Sequence, residues 1–133
     1  MGFEIRNRCM SVPLNGGTMK NPTQCHLWQA ESLTSRQLQE SLDLIEEFMD
    51  ESHHGQYLRQ CKLCGQLYLH EFLECIDWVD GNDPQSQTYL PVDSREEAEK
   101  LLSSDGFRLE SHSPRLVSDF PKDAQSPGIY WVR

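Results

Sequence analysis

Long apolar runs are missing from this 133-residue chain. No window approaches the roughly 18 consecutive apolar residues that a membrane span needs. The N-terminal MGFEIRNRCMSV lacks the apolar core of a secretory signal, and Arg6 stands where a myristoylation pattern would need Ser or Thr. Phosphate-cradling glycine loops, a G-x-S-x-G elbow and a dinucleotide fingerprint are also absent. His70-Glu71 opens like the HExxH metalloprotease motif, but Glu74 occupies the second histidine position. Asp80-Gly81-Asn82-Asp83 misplaces the glycine of a calcium loop and lacks its closing glutamate.

Basic residues are scarce in the middle of the chain. The formal charge is -9, and residues 40–99 hold fifteen acidic residues against Arg59, Lys62 and Arg95. Such a field repels phosphate backbones, which disfavours direct nucleic-acid binding, and attracts a basic protein partner. Five cysteines cannot all pair within one chain. Thiols persist in a reducing compartment, so a cytosolic protein is expected.

The elements that are present predict one α+β domain over 1–133, with a mainly antiparallel sheet, two helices and a mostly irregular segment at 1–30. Phe3 and Ile5 suit a short strand, and Pro13, Gly16, Gly17 and Pro22 a loop. Thr34 and Gln37 have capping-box spacing, with Leu33 and Leu38 as a hydrophobic staple. Leu38, Leu42, Ile45 and Met49 continue at helical spacing, which predicts a helix over about 35–53, ending at His53, His54 and Gly55.

Ser94 and Glu97 cap a second helix over about 95–104, closed by Gly106. Aromatic density after the cysteine pair favours a strand there, with a turn at Asp80–Pro84 and a return strand at Thr88–Val92. Pro91 places that return strand at an edge or near its end. Further strands are expected at 107–109, 115–120 and 129–132.

Cys61-Lys62-Leu63-Cys64-Gly65 carries the chemistry. Thiolates three positions apart turn toward one ion about 2.3 Å away, and glycine permits the tight backbone. Lys62 favours thiolate over thiol. These residues resemble the knuckle of zinc-ribbon proteins, in which a strand leaves directly after the second cysteine. The likeness is confined to this short stretch, since no second C-x-x-C exists.

A structural zinc needs two more ligands. Cys25 and Cys9 are the first choices because a returning loop can bring them in, with His26 as substitute. His54 would lie up to about 23 Å from Cys61 along an extended chain, unless a turn at 55–57 brings it back. His70 and Cys75 recede along the strand on the other side. Cys75 reads as a small buried free thiol.

The expected role is a small acidic protein-binding module, with the special case of a neutraliser of a basic toxin. Immunity proteins are similar to it in charge and size alone. Its partner surface would comprise Glu46, Asp50, Glu71, Glu74, Asp77, Trp78, Asp80 and Tyr89, with aromatic anchors among acids. Two other readings stand beside it: a small metal-dependent hydrolase with Glu71 beside the cysteines, and a redox sensor at Cys61 and Cys64.

Overall fold

A computed structural model of the chain describes residues 17–75, 84–121 and 124–133. Strand β1 (Gly17–Thr18), the single helical turn α1 (His26–Gln29) and helix α2 (Ser35–Ser41) come first. Strands β2 (Leu42–Glu51), β3 (His54–Cys61), β4 (Leu67–Glu74) and β5 (Gln85–Val92) follow. Helix α3 (Arg95–Leu102), a 3-10 turn (Leu109–Ser111) and β6 (His112–Ser113) lead to β7 (Arg115–Phe120) and β8 (Gly128–Val132).

β1 and β6 pair in parallel, while the other six strands form one antiparallel sheet in the order β2-β3-β4-β5-β7-β8. Neighbours in this sheet follow one another along the chain, apart from β5 and β7, between which α3, the 3-10 turn and β6 are inserted. The α+β expectation holds in this form.

Alternation along the strands sends side chains to two faces, and each face is covered. On one, Cys61, Tyr68, Tyr89 and Leu116 pack against Cys25, Leu27, Leu38 and Leu42 from the α1–α2 segment and the start of β2. On the other, Leu58, Leu69, Leu90 and Val92 meet Ala98 of α3, together with Met19 and Leu109. The central strands β4 and β5 therefore each contain an unbroken buried run, Tyr68 to Glu71 and Thr88 to Val92.

Both capping predictions are met. Thr34 and Gln37 exchange the two capping-box hydrogen bonds, at 2.9 and 3.1 Å. The Ser94 hydroxyl accepts from the Glu97 amide at 3.1 Å, and Gly106 follows α3 with φ +70. The first helix, however, stops at Ser41 instead of running to about 53. The Ser41 hydroxyl donates back to the Gln37 carbonyl at 2.6 Å, and Leu42 turns extended. Pairing with β3 then overrides the helical spacing, because propensity yields to tertiary context.

Ile45, a member of the helix-like run, and Phe48 fall at irregularities of the β2–β3 register. His53 sits in the hairpin turn and His54 begins β3, so neither caps a helix. Pro91 is the last residue but one of β5, so of the two expected placements the strand end is the one met, while β5 itself is internal. Pairing with β7 ends at Tyr89, so no β7 residue is paired with Pro91. The 107–109 strand is replaced by an approach to the 3-10 turn. The 115–120 and 129–132 strands form. Phe3, Ile5, Cys9, Asp77, Trp78, Asp80 and most of the 80–84 turn lie outside the described residues.

Candidate metal centre

The β3–β4 connection shapes one half of the centre. Cys61 ends β3, and its amide donates to the Gln66 carbonyl at 2.8 Å, while the Gly65 amide returns to the Cys61 carbonyl at 2.9 Å. Gly65 holds φ +80, a left-handed backbone that a side chain would strain. This tight turn leaves Cys61 2% exposed and Cys64 on the surface.

The other half comes from far along the sequence. The Cys25 amide donates to the Pro22 carbonyl, and the Trp28 and Gln29 amides return to the Cys25 carbonyl. α1 is too short to persist alone, and β8 holds it in place. Trp131 Nε1–H donates to the Leu27 carbonyl at 2.8 Å. The Arg133 guanidinium donates to the Trp28 carbonyl and lies 3.9 Å from the Trp28 ring centroid. Cys25 and Leu27 are thereby sealed completely.

Cys25 Sγ, Cys61 Sγ and a His26 ring nitrogen all lie within 4.8 Å of one another, a donor group of metal-binding dimensions. Cys61 Sγ and His26 Nδ1 are 3.6 Å apart. Tetrahedral zinc, with bonds of about 2.3 Å to sulfur and 2.0–2.1 Å to nitrogen, would set such a pair about 3.6 Å apart. The opposite ring nitrogen, Nε2, is 3.1 Å from the Ser41 hydroxyl oxygen. Because that hydroxyl gives its proton to Gln37, its oxygen accepts from Nε2–H. The Nδ1 lone pair is then turned toward the sulfurs, an outer hydrogen bond that commonly orients histidine ligands.

Ionisation at the centre follows burial and neighbouring donors. Burial pushes the Cys25 thiol up to about 12, against a lowering contact from the Tyr68 hydroxyl. Burial also raises Cys61, but amide contacts from Cys64 and Leu63, then the side chains of Cys64 and Cys25, outweigh it and leave the thiol below its ordinary value. Cys64 Sγ falls outside the mutual 4.8 Å group, yet lies close enough to shift both other thiols. Tyr68 is fully buried, and its hydroxyl, though it approaches Cys25, meets no partner in hydrogen-bond geometry among the described residues. A thiolate at Cys25 would supply the acceptor it lacks.

Of the expected ligands, Cys25 and Cys61 come together, His26 enters as the histidine of the group, and Cys64 stays outside it on the surface. His54 lies at the far end of β3. Cys75 is disulfide-bonded rather than a free thiol. Glu71 pairs across from Gln56, five residues along β3 from Cys61 and hence about 17 Å away at strand spacing. It is 8% exposed and accepts from Gln56 at 3.0 Å, with His54 Nε2 at 2.8 Å. No carboxylate joins the cysteine group among the described residues.

The expected partner-facing residues are dispersed. Glu46 receives two hydrogen bonds from Arg95, at 2.6 and 2.7 Å, and Arg95 lowers its pKa. Asp50 accepts from the Tyr57 hydroxyl. Glu74 meets His53 and Gln85. Tyr89 is 5% exposed and stacked on His70, so it offers no surface anchor. Comparison of the chain with protein-family models, curated proteins and solved structures returns no match.

Proposed function

We propose that this chain is a small acidic protein-binding domain whose N-terminal segment is clamped to the sheet by zinc at Cys25, His26, Cys61 and Cys64. The carrying observation is the convergence of two sulfurs and a correctly oriented imidazole nitrogen from segments 35 residues apart. Three thiolates and one imidazole suit zinc among the common divalent ions. Exposed Cys64 swings onto the fourth corner, completing a closed set with no position for substrate. That favours a structural role over hydrolysis.

Strand β2 supports the binding role. It is an edge of the described sheet and exposes Asp43, Glu47, Asp50 and Glu51. Leu44 and Ile45 beside them are 52% and 49% exposed, and Leu63 of the cysteine turn is 79% exposed. Apolar contacts ringed by carboxylates on an open edge suit an extended basic segment.

Elemental analysis of protein purified without chelator should find one zinc per chain. Cys61→Ser and Cys25→Ser should each lose it and unfold more readily. Full zinc content in both variants would remove these ligands from the proposal, as would an as-purified disulfide between Cys61 and Cys64. Binding to basic proteins should weaken with rising salt, and Asp43→Lys with Glu47→Lys should weaken it further. Salt-independent binding would refute the acidic edge.

A further inference from the structure

A pocket lies on the face of the sheet that carries Cys61, between α2 and the strands. It has a volume of about 200 Å³ and is lined by Leu38, Leu42, Arg59, His70, Gln87 and Tyr89, with Gln39 of α2 also at its wall. That is smaller than pockets for drug-sized ligands, and equals roughly six or seven waters at about 30 Å³ each.

Its polar groups are nearly all donors. His70 Nε2 lies 2.8 Å from Gln87 Oε1, and Arg59 Nε donates to His70 Nδ1 at 3.2 Å. The two contacts together fix the imidazole as the Nε2–H tautomer. The Tyr89 hydroxyl also gives its proton to Gln87 Oε1. Among the described residues, Gln87 therefore has its oxygen occupied and its amide protons without an acceptor, while Arg59 uses only Nε.

Among the described residues no carboxylate lies within ion-pair distance of Arg59, although the chain carries twenty-one acids. Its nearest ring contact is Tyr57, with the guanidinium carbon 5.4 Å from the centroid. Leu38 and Leu42, both buried, and the ring of Tyr89 also line the pocket. The pocket thus combines a cation and an amide with apolar lining.

We infer that this pocket binds a small organic carboxylate, its oxygens held by the terminal nitrogens of Arg59 and the amide of Gln87 and its short carbon chain lying on Leu38, Leu42 and Tyr89. Arginine matches a carboxylate in a planar, two-point fashion that an inorganic anion shares, but the apolar wall favours a ligand with a hydrocarbon body. The inference stands independently of the metal.

The test uses the full chain as purified. Acetate, butyrate, hexanoate and inorganic phosphate are titrated at constant ionic strength, and the side-chain NMR signals of Arg59 Nε–H, Gln87 and His70 are followed. Saturable shifts should appear with the carboxylates, and affinity should rise from acetate to butyrate. Arg59→Gln should lower affinity by about tenfold or more. Gln39→Trp, a change at an exposed helix position, should block entry while leaving Arg59 in place. Absence of saturable shifts, phosphate binding as tight as butyrate, or unchanged butyrate binding in folded Gln39→Trp protein would each overturn the assignment. An Arg59→Gln variant that fails to fold leaves the Gln39→Trp and chain-length results to decide.

Discussion

The hydroxyl of Ser41 stands between helix α2 and the His26 ring, giving its proton to one and accepting from the other. Removing it leaves Nε2–H without an acceptor and frees the ring to turn. Ser41→Ala should therefore weaken zinc binding by about 10–100-fold while the fold persists, as read by competition with a chromogenic chelator. Unaltered affinity would show that the ring is oriented by something else.

Tyr68 offers an opposite pair of signs. With the metal withdrawn, Tyr68→Phe should cost little or stabilise, because an unpartnered buried hydroxyl disappears. With the metal bound, the variant should lose the donor to Cys25 and bind more weakly. Urea unfolding with and without chelator separates the two.

His70 makes a pH prediction. Burial, and then the charge of Arg59, depress its pKa to about 3 despite the opposing Gln87 hydrogen bond. Tyr57 from β3 and Tyr89 from β5 flank the ring, and neither brings a negative charge at neutral pH. The unfolded histidine takes its proton near pH 6.5, so the folded form binds fewer protons below that value. Its contribution is complete above about pH 6.5 and is lost as pH falls toward 3. The slope approaches about 1.4 kcal/mol per pH unit for one proton. Replacing His70 with Gln should flatten this part of the acid limb relative to the parent; an unchanged slope would show that carboxylates alone produce it.

At the scale of elements, what could be read from the sequence was what is encoded locally. Thr34 and Ser94 announce helix starts because a side chain and an amide three residues on suffice to make the bonds. Substituting either with Ala should cost about 1 kcal/mol in urea unfolding. The β2 segment misleads for a corresponding reason. Leu42, Ile45 and Met49 have the period of a helix, and only pairing with β3, with two register irregularities, makes the segment a strand. Cys25 could be proposed as a ligand because thiols are few. The parts played by Ser41 and Tyr68 could not, since hydroxyls are common and their meaning comes from packing. The Arg59–His70–Gln87 pocket was equally hidden, because its members come from three strands. Glu71 and Tyr89, chosen for charge and aromaticity, proved to be interior.

For the whole molecule, the two faces differ in what holds them. α3 is joined to its face by Ala98, with Arg95 bridging Glu46 and Glu99 at the surface. The α1–α2 side rests on a single helical turn, one seven-residue helix and the proposed ion. Withdrawing zinc with a chelator should lower the melting temperature, and hydrogen exchange should rise first at residues 25–41, with β4 and β5 remaining protected. Uniform loosening would show that the ion supports the sheet rather than its cover.

The anchoring of α1 by Trp131 and Arg133 also sets an order of events during synthesis. Cys25 and His26 leave the ribosome more than a hundred residues before the indole and guanidinium that seat them. A nascent chain halted before Gly128 would carry its thiols unassembled and open to stray oxidants. The cation should enter last, as the latch on a finished body rather than the seed of a growing one.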